Sequence, residues 1–379
     1  MSQTLESDVA VIGAGIIGST IAWEACRAGL RVVRVSQPRS GSATHAAGGM
    51  LTPSAEAEGL EPSLIELACE SCQRYPAFIQ ALENAAQQSS GYHPTGTLLL
   101  AVNRDQLSDL EHLEKFQASL GLKISRPTIR ELRELEPNLT PRIAGGLYAQ
   151  SEHHINPRQL QATLEQALER ANTLHLSNTQ TIELIEQSGN ILGLEATSSD
   201  GVTTRIHARS VVAADGVWTN QIPGLEGLLP LRPIKGQYLR LRGEPLINRT
   251  VRTPDVYLVP REDGEIYIGA TSEEVGFDDS LQAGATMDLL WQAWRAVPGI
   301  YELEIEEFGV GFRPALRDNL PLIDLGPLNG LIIATGHYRH GIMLAPITAQ
   351  GVLDIIQDKG VPDVFKPFGW KRFEPNMEM

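Results

Sequence analysis

Residues 8–18 read DVAVIGAGIIG, a short apolar run that passes directly into a glycine-rich turn. The run predicts a buried parallel strand, the residues after it predict a helix, and residues 30–35 predict a second strand. Within such a unit, G-x-G-x-x-G is the fingerprint of a dinucleotide site. Gly13 permits the tight turn, Gly15 lets the backbone approach a pyrophosphate, and Gly18 lets the helix pack closely on the sheet.

One part of this fingerprint is missing. An acidic residue normally ends the second strand and holds a ribose hydroxyl, but Ser36 stands there, with Arg34 and Arg39 nearby. A serine also hydrogen-bonds a ribose, although less strongly than a carboxylate. Serine with neighbouring arginines also suits a 2′-phosphate, so these residues alone leave NADP open as the cofactor.

A second unit of the same kind lies at the far end of the chain. Residues 331–335 predict a buried strand, residues 336–341 a glycine-bounded loop, and Pro346 the opening of a helix. An extended cofactor held at both ends needs two such units, so FAD fits better than NADP. The adenine end is then expected at the first loop and the flavin near the last helix, whose N-terminus stabilises negative charge on the reduced ring. The small, polar loop over residues 41–50 suits close packing against a planar ligand.

The middle of the chain predicts a second domain. Residues 256–260 and 265–270 flank an Asp-Gly turn and indicate an antiparallel hairpin, whereas residues 206–214 predict one strand that returns to the nucleotide domain. An antiparallel sheet between pieces of a parallel one implies a discontinuous chain. The predicted fold is an α/β, Rossmann-like FAD-binding domain plus an α+β substrate domain with an antiparallel sheet. The predicted segments are 1–90, 152–226 and 318–379 for the FAD-binding domain, and 91–151 and 227–317 for the substrate domain.

Further elements are predicted from apolar spacing and capping residues. Two helices are predicted to start near Pro62 and Asn156, and two more are predicted over residues 105–120 and 281–297. The remaining predicted strands cover residues 96–102, 143–150 and 237–241.

Composition excludes several classes of function. Lys and Arg total 31 against 46 Asp and Glu, and the net charge of −15 argues against general binding to nucleic acid or to anionic membranes. The sequence has no apolar run of the roughly 18 residues that a membrane span needs. Three cysteines are too few for a disulfide framework, so we expect a reducing, cytoplasmic location. Cys69 and Cys72 form a single C-x-x-C without a second ligand pair, so no metal site is predicted.

Seven segments together carry a family resemblance. They are VIGAGIIGSTIA (11–22), ATHAAGGMLTPSAE (43–56), VVAADGVW (211–218), PIKGQYLRL (233–241), VYLVPR (256–261), GFRPALRDNLPLI (311–323) and GHYRHGIMLAP (336–346). In this order they resemble the D-amino acid oxidase (DAO) family of FAD enzymes, and most closely its glycine oxidase branch from thiamine biosynthesis.

The resemblance implies roles for individual residues. Arg313 corresponds to the arginine that pairs with the substrate carboxylate, Tyr257 to the tyrosine that hydrogen-bonds it, and Arg339 to an arginine beside substrate and flavin. Gly48, Gly49 and Met50 correspond to backbone that lines the flavin. With the glycine loops, the predicted cofactor contacts are Gly13, Gly15, Ile16, Ile17, Gly18, Ser36, Ala43, Thr44, His45, Gly48, Gly49, Met50, Gly216, Trp218, Gly336, His337, Tyr338, Arg339, His340, Gly341 and Ile342.

The activity implied by the resemblance is oxidative deamination of a small amino acid. Glycine is the first candidate, with sarcosine and small D-amino acids as alternatives. The products are the 2-oxo acid, ammonia or an amine, and hydrogen peroxide from molecular oxygen, in thiamine thiazole biosynthesis. A related FAD dehydrogenase with a quinone or protein acceptor, and a non-catalytic flavin-binding protein, stay open as alternatives, as does a homo-oligomer.

Three positions depart from this pattern or add to it. Asp255 and Ser272 stand at pocket-side positions where similar enzymes carry other residues. His45 lies in a loop like one that carries a covalently bound flavin in sarcosine and dimethylglycine dehydrogenases, which leaves covalent attachment open here.

Overall fold

The computed structural model describes residues 3–56 and 61–373. The strands are β1 (Gln3–Glu6), β2 (Val9–Ile12), β3 (Val32–Val35), β4 (Met50–Leu51), β5 (Tyr92–His93), β6 (Thr97–Ala101), β7 (Gly145–Ala149), β8 (His153–Ile155), β9 (Leu174–Leu176), β10 (Thr179–Gln187), β11 (Asn190–Ser198), β12 (Thr203–His207), β13 (Ser210–Ala213), β14 (Arg232–Arg242), β15 (Thr250–Arg252), β16 (Tyr257–Pro260), β17 (Glu265–Gly269), β18 (Glu304–Ala315), β19 (Leu322–Leu325) and β20 (Leu331–Thr335).

The α-helices are α1 (Ile16–Arg27), α2 (Ala43–Ala46), α3 (Pro62–Ala86), α4 (Arg104–Ser119), α5 (Ile129–Leu135), α6 (Pro157–Arg170), α7 (Ala283–Ala296) and α8 (Gly341–Ile356). Short 3₁₀ helices cover Gly216–Gln221, Pro298–Glu302, Asp363–Phe368 and Trp370–Phe373. Every helix in the described residues is too short or too polar to cross a lipid bilayer.

A six-stranded sheet forms the centre of the nucleotide-binding part. Its order is β19-β20-β13-β2-β3-β9, and every neighbouring pair except β19–β20 is parallel. Helices α1, α3, α6 and α8 pack together with one face. A four-stranded sheet, β1-β12-β11-β10, covers the other face. Because both faces are covered, all four residues of β2 are buried, which explains its uninterrupted apolar sequence.

A seven-stranded sheet forms the second part of the molecule, in the order β18-β14-β17-β16-β15-β6-β7. It is antiparallel as predicted except for one pair, because β15 runs parallel to β6. Side chains alternate along β14: Leu239 and Leu241 pack in the core that includes α7, whereas Tyr238 packs with tyrosines on the opposite face. These strands come from residues 97–149 and 232–315, and the domain boundaries given above stay a prediction.

The prediction of a single strand over residues 206–214 is wrong. The chain forms β12 up to His207 and β13 from Ser210, and the two strands lie in different sheets. Residues 208 and 209 carry the chain from one layer to the other. Ile206 and Val211 are both fully buried, so the apolar pattern alone contains no sign of the change of layer.

The predicted start of the last helix is also wrong, since α8 begins at Gly341 and contains Pro346. A proline has no N–H for the carbonyl four residues earlier, here that of Ile342. The hydroxyl of Tyr75 on α3 donates to this carbonyl instead, and Ser71 donates to the carbonyl of Met343 at 2.6 Å. Donors from a packed neighbouring helix therefore allow α8 to continue through its proline, and the local sequence does not show them.

Replacing Tyr75 by phenylalanine removes the donor to the buried Ile342 carbonyl. We expect the free energy of unfolding to fall by about 1–3 kcal/mol, the range for an unsatisfied buried polar group. The loss should be smaller in a Pro346→Ala background, because the introduced alanine supplies the missing backbone N–H. Urea unfolding followed by circular dichroism measures both effects, with Tyr301→Phe as the control because Tyr301 is 80% exposed. Equal losses in the two backgrounds would contradict this account.

Candidate active site

A cavity of about 590 Å³ lies between the six-stranded sheet and the seven-stranded sheet. Its walls include the residues that follow the carboxyl ends of β2, β3 and β13, the start of α8, and one face of the seven-stranded sheet. In open α/β sheets, ligands bind at these carboxyl ends, where the strand order changes direction. The volume falls within the range of roughly 300–1,000 Å³ that is usual for ligand sites.

The glycine turn after β2 has the predicted shape. Gly13 has a φ of +106°, and a Cβ there would lie 2.4 Å from the carbonyl oxygen of Ala214. A Cβ on Gly18 would lie 2.2 Å from the Gly13 carbonyl oxygen, so α1 could not pack as it does. Gly13 and Gly18 therefore shape the turn but do not line the cavity, whereas residues 15–17 at the start of α1 do.

Arg34, near the end of β3, does not form a phosphate site. Arg34 is 2% exposed and binds both carboxylate oxygens of Glu165 on α6, at 2.7 and 2.5 Å. The NADP interpretation is therefore wrong about Arg34. Arg39 lines the cavity, 3.5 Å from the Asp215 carboxylate and with its guanidinium carbon 5.4 Å from the centre of the Trp218 ring. Burial, opposed in part by Arg39, raises the pKa of Asp215 to about 6.

Side chains from two directions hold the loop over residues 43–50. Arg158 on α6 donates to the His45 carbonyl at 3.1 Å. The Tyr267 hydroxyl donates to the Ala46 carbonyl at 2.7 Å, and Arg261 donates to the Gly48 carbonyl at 2.7 Å. Sequence analysis missed these three donors, because each acts on a segment far away in the chain.

The two glycines of this loop are sterically required. A Cβ on Gly48 would lie 2.8 Å from the ring of Tyr257, and Gly49 has a φ of +79° with the Ile155 carbonyl oxygen 2.0 Å from a Cβ position. Ala43, Thr44, His45 and Met50 line the cavity with them. The hydroxyl of Thr44 accepts a 3.0 Å hydrogen bond from the N–H of Ile16, which ties this loop to the first turn of α1. The His45 side chain is 61% exposed, with Nε2 3.9 Å from Glu307.

The face of the seven-stranded sheet supplies the predicted substrate residues. Tyr257 stacks against Tyr267 with ring centroids 6.0 Å apart. Arg313 lies half-buried, and its Nη1 donates to the carbonyls of Thr271 and Lys235 at 2.9 and 3.3 Å. A Cβ on Gly236 would lie within 2.6 Å of both terminal nitrogens of Arg313, so the absence of a side chain there makes room for the guanidinium.

Two cavity-lining arginines lack an acidic partner within the described residues. Neither Arg313 nor Arg339 forms an ion pair with a carboxylate there, although both line the cavity. Arg339 is exposed and lies 5.4 Å from the centre of the Tyr338 ring. The two guanidinium groups therefore give this end of the cavity positive charge that Glu56 only partly balances, which suits an anionic ligand.

The start of α8 forms another wall. His337, Tyr338, Gly341 and Ile342 line the cavity there, and burial lowers the pKa of His337 to about 3, so its ring is neutral. Gly336, with a φ of +74°, and His340 do not reach the wall. Gly216 and Trp218, by contrast, do reach it after β13, as predicted.

Glu56 and Arg252 join this end of the cavity, and sequence analysis missed both. Arg252 binds Glu56 at 2.8 Å, and His340 lies 3.3 Å from the same carboxylate. Burial alone would raise the pKa of Glu56, but the contact with His340 and the charge of Arg252 lower it, so the carboxylate is ionised. Asp255 and Ser272 also line the cavity, and Asp255 accepts a 2.9 Å hydrogen bond from Gln106.

Glu152 holds the turn that leads to Glu56. Its carboxylate is buried and accepts hydrogen bonds from the N–H and hydroxyl of Ser54 and from the N–H of Ala55. Burial, opposed by these bonds, raises the pKa of Glu152 to about 7. No sequence signal distinguishes this glutamate, because its burial depends on a contact across 97 residues of chain.

Comparison with known proteins agrees with this geometry. The profile of the DAO family, FAD-dependent oxidoreductases, matches residues 8–355. The chain therefore belongs to the DAO family of FAD-dependent oxidoreductases. It is a flavin oxidoreductase, and its cofactor is FAD.

Individual relatives extend over nearly the whole chain. The bifunctional protein ThiO/ThiG of Trichormus variabilis is 33% identical over 97% of this chain and 55% of its own length. This chain thus spans about half the length of that relative. The glycine oxidase of Geobacillus kaustophilus is 32% identical over 98% of both chains. A crystal structure of glycine oxidase from that organism superposes with a TM-score of 0.88 at 30% identity, covering 97% of this chain and 99% of the other.

The residues present fit FAD. The N-termini of α1 and α8, both positively polarised, lie at one cavity, which suits a pyrophosphate and a reduced flavin. At Gly15 a ligand can approach the backbone closely. Among the described residues outside its own helix, a Cβ built on Gly15 would have the Thr44 hydroxyl as its close neighbour, at 3.2 Å. The glycines of the 43–50 loop leave flat backbone for a planar ring. We place the adenosine near Ser36 and the flavin near residues 48–50 as a proposal.

The raised pKa of Glu152 predicts a pH dependence of stability. Between about pH 4.5 and 7 the native state keeps a proton that the unfolded state has lost, so stability falls as the pH rises through this window. From pH 5 to 8, the unfolding free energy of the wild type should fall by about 2–3 kcal/mol relative to Glu152→Gln. Urea unfolding at each pH measures this, with the exposed Glu66→Gln as control. Parallel pH profiles for the wild type and Glu152→Gln would show the prediction to be wrong.

Proposed function

We propose that this enzyme oxidatively deaminates a small amino acid, with glycine as the first substrate. The reaction converts amino acid, oxygen and water into the 2-oxo acid, ammonia and hydrogen peroxide. The observation that carries the proposal is Arg313, a half-buried cation at the cavity wall that has no acidic partner in the described residues. The names of the relatives, glycine oxidase and ThiO/ThiG, support the substrate and a role in thiamine biosynthesis.

Substrate binding is the main task of the side chains. The carbonyls of Thr271 and Lys235 hold one edge of the Arg313 guanidinium, which leaves its other N–H groups for a carboxylate. A guanidinium and a carboxylate match in a bidentate geometry. Tyr257, on β16 of the same sheet, supplies a hydroxyl for the same carboxylate. The α-carbon is thereby placed and oriented, which makes catalysis chiefly a matter of positioning.

FAD, when bound, supplies the acceptor for the hydride that leaves the α-carbon. The substrate amine must be in its neutral form for this bond to break, and we assign no side chain as its base. The resulting imine hydrolyses to the 2-oxo acid and ammonia. The tyrosines Tyr257 and Tyr267 form an aromatic wall at the cavity that restricts water around the substrate.

The first test is anaerobic addition of glycine to the FAD-loaded enzyme while the visible flavin absorption is followed. Bleaching supports glycine as the reductant, whereas a persistent yellow band contradicts it and directs the search to N-methyl and D-amino acids. Air is then admitted and hydrogen peroxide is measured. Rapid return of the absorption with stoichiometric peroxide supports an oxidase. Slow return, with fast oxidation by an added quinone, supports the dehydrogenase alternative instead. Oligomeric state and cytoplasmic location stay predictions.

Replacing Arg313 by alanine removes the proposed carboxylate partner. We expect KM for glycine to rise by about 100-fold or more, from the loss of a charged hydrogen-bonded contact worth roughly 3 kcal/mol, with FAD still bound. Steady-state kinetics and the flavin spectrum measure the two properties. Arg317→Ala is the matched control, because Arg317 is exposed four residues away and does not line the cavity. An unchanged KM would remove Arg313 from the proposal.

Replacing Gly236 by alanine tests the same contact without altering Arg313. The new methyl group would lie 2.5 Å from one terminal nitrogen of Arg313, so the guanidinium must move. We expect KM to rise while FAD binding is unchanged. Gly284→Ala on α7, where nothing lies within 4 Å of the added methyl group, is the control. Wild-type kinetics in Gly236→Ala would mean that the position of Arg313 does not determine substrate binding.

A further inference from the structure

The end of β3 poses a specific chemical question, because Ser36 stands where the dinucleotide fingerprint places a carboxylate. Ser36 lines the cavity and its backbone is fixed on both sides. Its N–H donates to the carbonyl of Leu176 at 3.1 Å, and its carbonyl accepts from the N–H of Thr179 at 2.8 Å. The hydroxyl therefore has a well-defined place at the cavity wall, but a hydroxyl can donate as well as accept.

Three further residues determine what this hydroxyl does. Ser36 Oγ lies 2.9 Å from Nε2 of His175 on β9. Nδ1 of the same ring lies 3.8 Å from Glu165 Oε2 on α6. Glu165 is in turn held by both terminal nitrogens of the buried Arg34. Arg34, Glu165, His175 and Ser36 thus form a continuous polar chain from the interior to the cavity.

The charges along this chain set the direction of its hydrogen bonds. Burial alone would raise the pKa of Glu165, but the hydrogen bonds from Arg34 lower it, so Glu165 is ionised. Burial and the charge of Arg34 lower the pKa of His175, so its ring is neutral at pH 7. A neutral imidazole carries one proton, and the carboxylate facing Nδ1 favours the proton on that nitrogen. Nε2 then has a lone pair and accepts from the Ser36 hydroxyl.

We propose that His175, positioned by Glu165, accepts the hydrogen bond from the Ser36 hydroxyl. The Ser36 oxygen is then left as an acceptor for a ribose hydroxyl of the FAD adenosine. A four-residue arrangement thereby replaces the carboxylate of the fingerprint. A 2′-phosphate has no proton to give and would meet an acceptor, while Arg34 is engaged by Glu165. At Ser36 the same arrangement therefore favours an unphosphorylated ribose, while Arg39 at the cavity wall lies 3.5 Å from the Asp215 carboxylate. Ser36 is a binding residue in this scheme, and His175 is a positioning residue. The proposal concerns cofactor binding and is independent of which amine is oxidised.

The experiment measures dissociation constants of the full-chain apoprotein at pH 8 for three flavins. They are FAD, an FAD analogue with 2′,3′-dideoxyadenosine, and FMN, which has no adenosine. Ser36→Ala should weaken FAD binding about three- to ten-fold, the worth of one hydrogen bond, and leave the other two constants unchanged. His175→Leu should weaken FAD in the same way. His175→Gln should recover most of the affinity, since its amide oxygen also accepts from the serine. Ser198→Ala, a serine on β11 outside the cavity, is the control.

Three results would overturn the proposal. Wild-type FAD affinity in Ser36→Ala would remove the ribose contact. An equal loss for FMN or for the dideoxy analogue would show a general structural defect instead of a lost ribose contact. A loss in Ser36→Ala with none in His175→Leu would mean that His175 does not direct the serine. Flavin reduction by glycine in each FAD-saturated variant shows separately whether the proposed amine oxidation holds.

Discussion

The architecture depends on the hydrogen bonds that hold the loop over residues 43–50, which lies between the helix layer and the seven-stranded sheet. Gly48 and Gly49 are buried there, and an unpaired buried carbonyl is costly, so the loop needs side-chain donors for its carbonyls. Arg158, Tyr267 and Arg261 each donate to one of them from a different element. Because these donors belong to both parts of the molecule, the loop that shapes the cavity also fixes the two parts against each other.

Buried charge follows the same logic. Glu307 accepts from Arg158, Arg240 and the hydroxyl of Tyr238, and thereby links α6 to the seven-stranded sheet beneath the loop. Arg34 is neutralised by Glu165 and Arg252 by Glu56. Among the described residues, the arginines at the substrate end differ, because Arg313 and Arg339 face the cavity without a carboxylate. Positive charge therefore remains where an anionic substrate enters, which makes this end of the cavity the chemically informative one.

Short-range patterns predicted the parts of the site that depend on local backbone geometry. The turn at Gly13, the start of α1 and the N-cap at Asn156 follow from residues within a few positions of each other, and the structure has all three. The predictions were wrong where an element depends on long-range contacts. The start of α8 depends on the Tyr75 hydroxyl, which lies 267 residues away in sequence, and the division between β12 and β13 depends on which layer each strand joins.

The sequence by itself determined the family and the cofactor, because G-x-G-x-x-G and the seven quoted segments encode local turns and contacts whose spacing is visible directly along the chain. Only the tertiary structure decided the state of individual groups. From the sequence alone, Arg34 could bind a phosphate, but the structure pairs it with Glu165. Likewise, Ser36 is only a weak substitute for the missing carboxylate until its hydrogen bond with His175 is known. Glu152 has a raised pKa solely because folding buries it. The physical reason is the same in each case: charge state and hydrogen-bond direction depend on burial and on partners that the fold brings from distant parts of the chain.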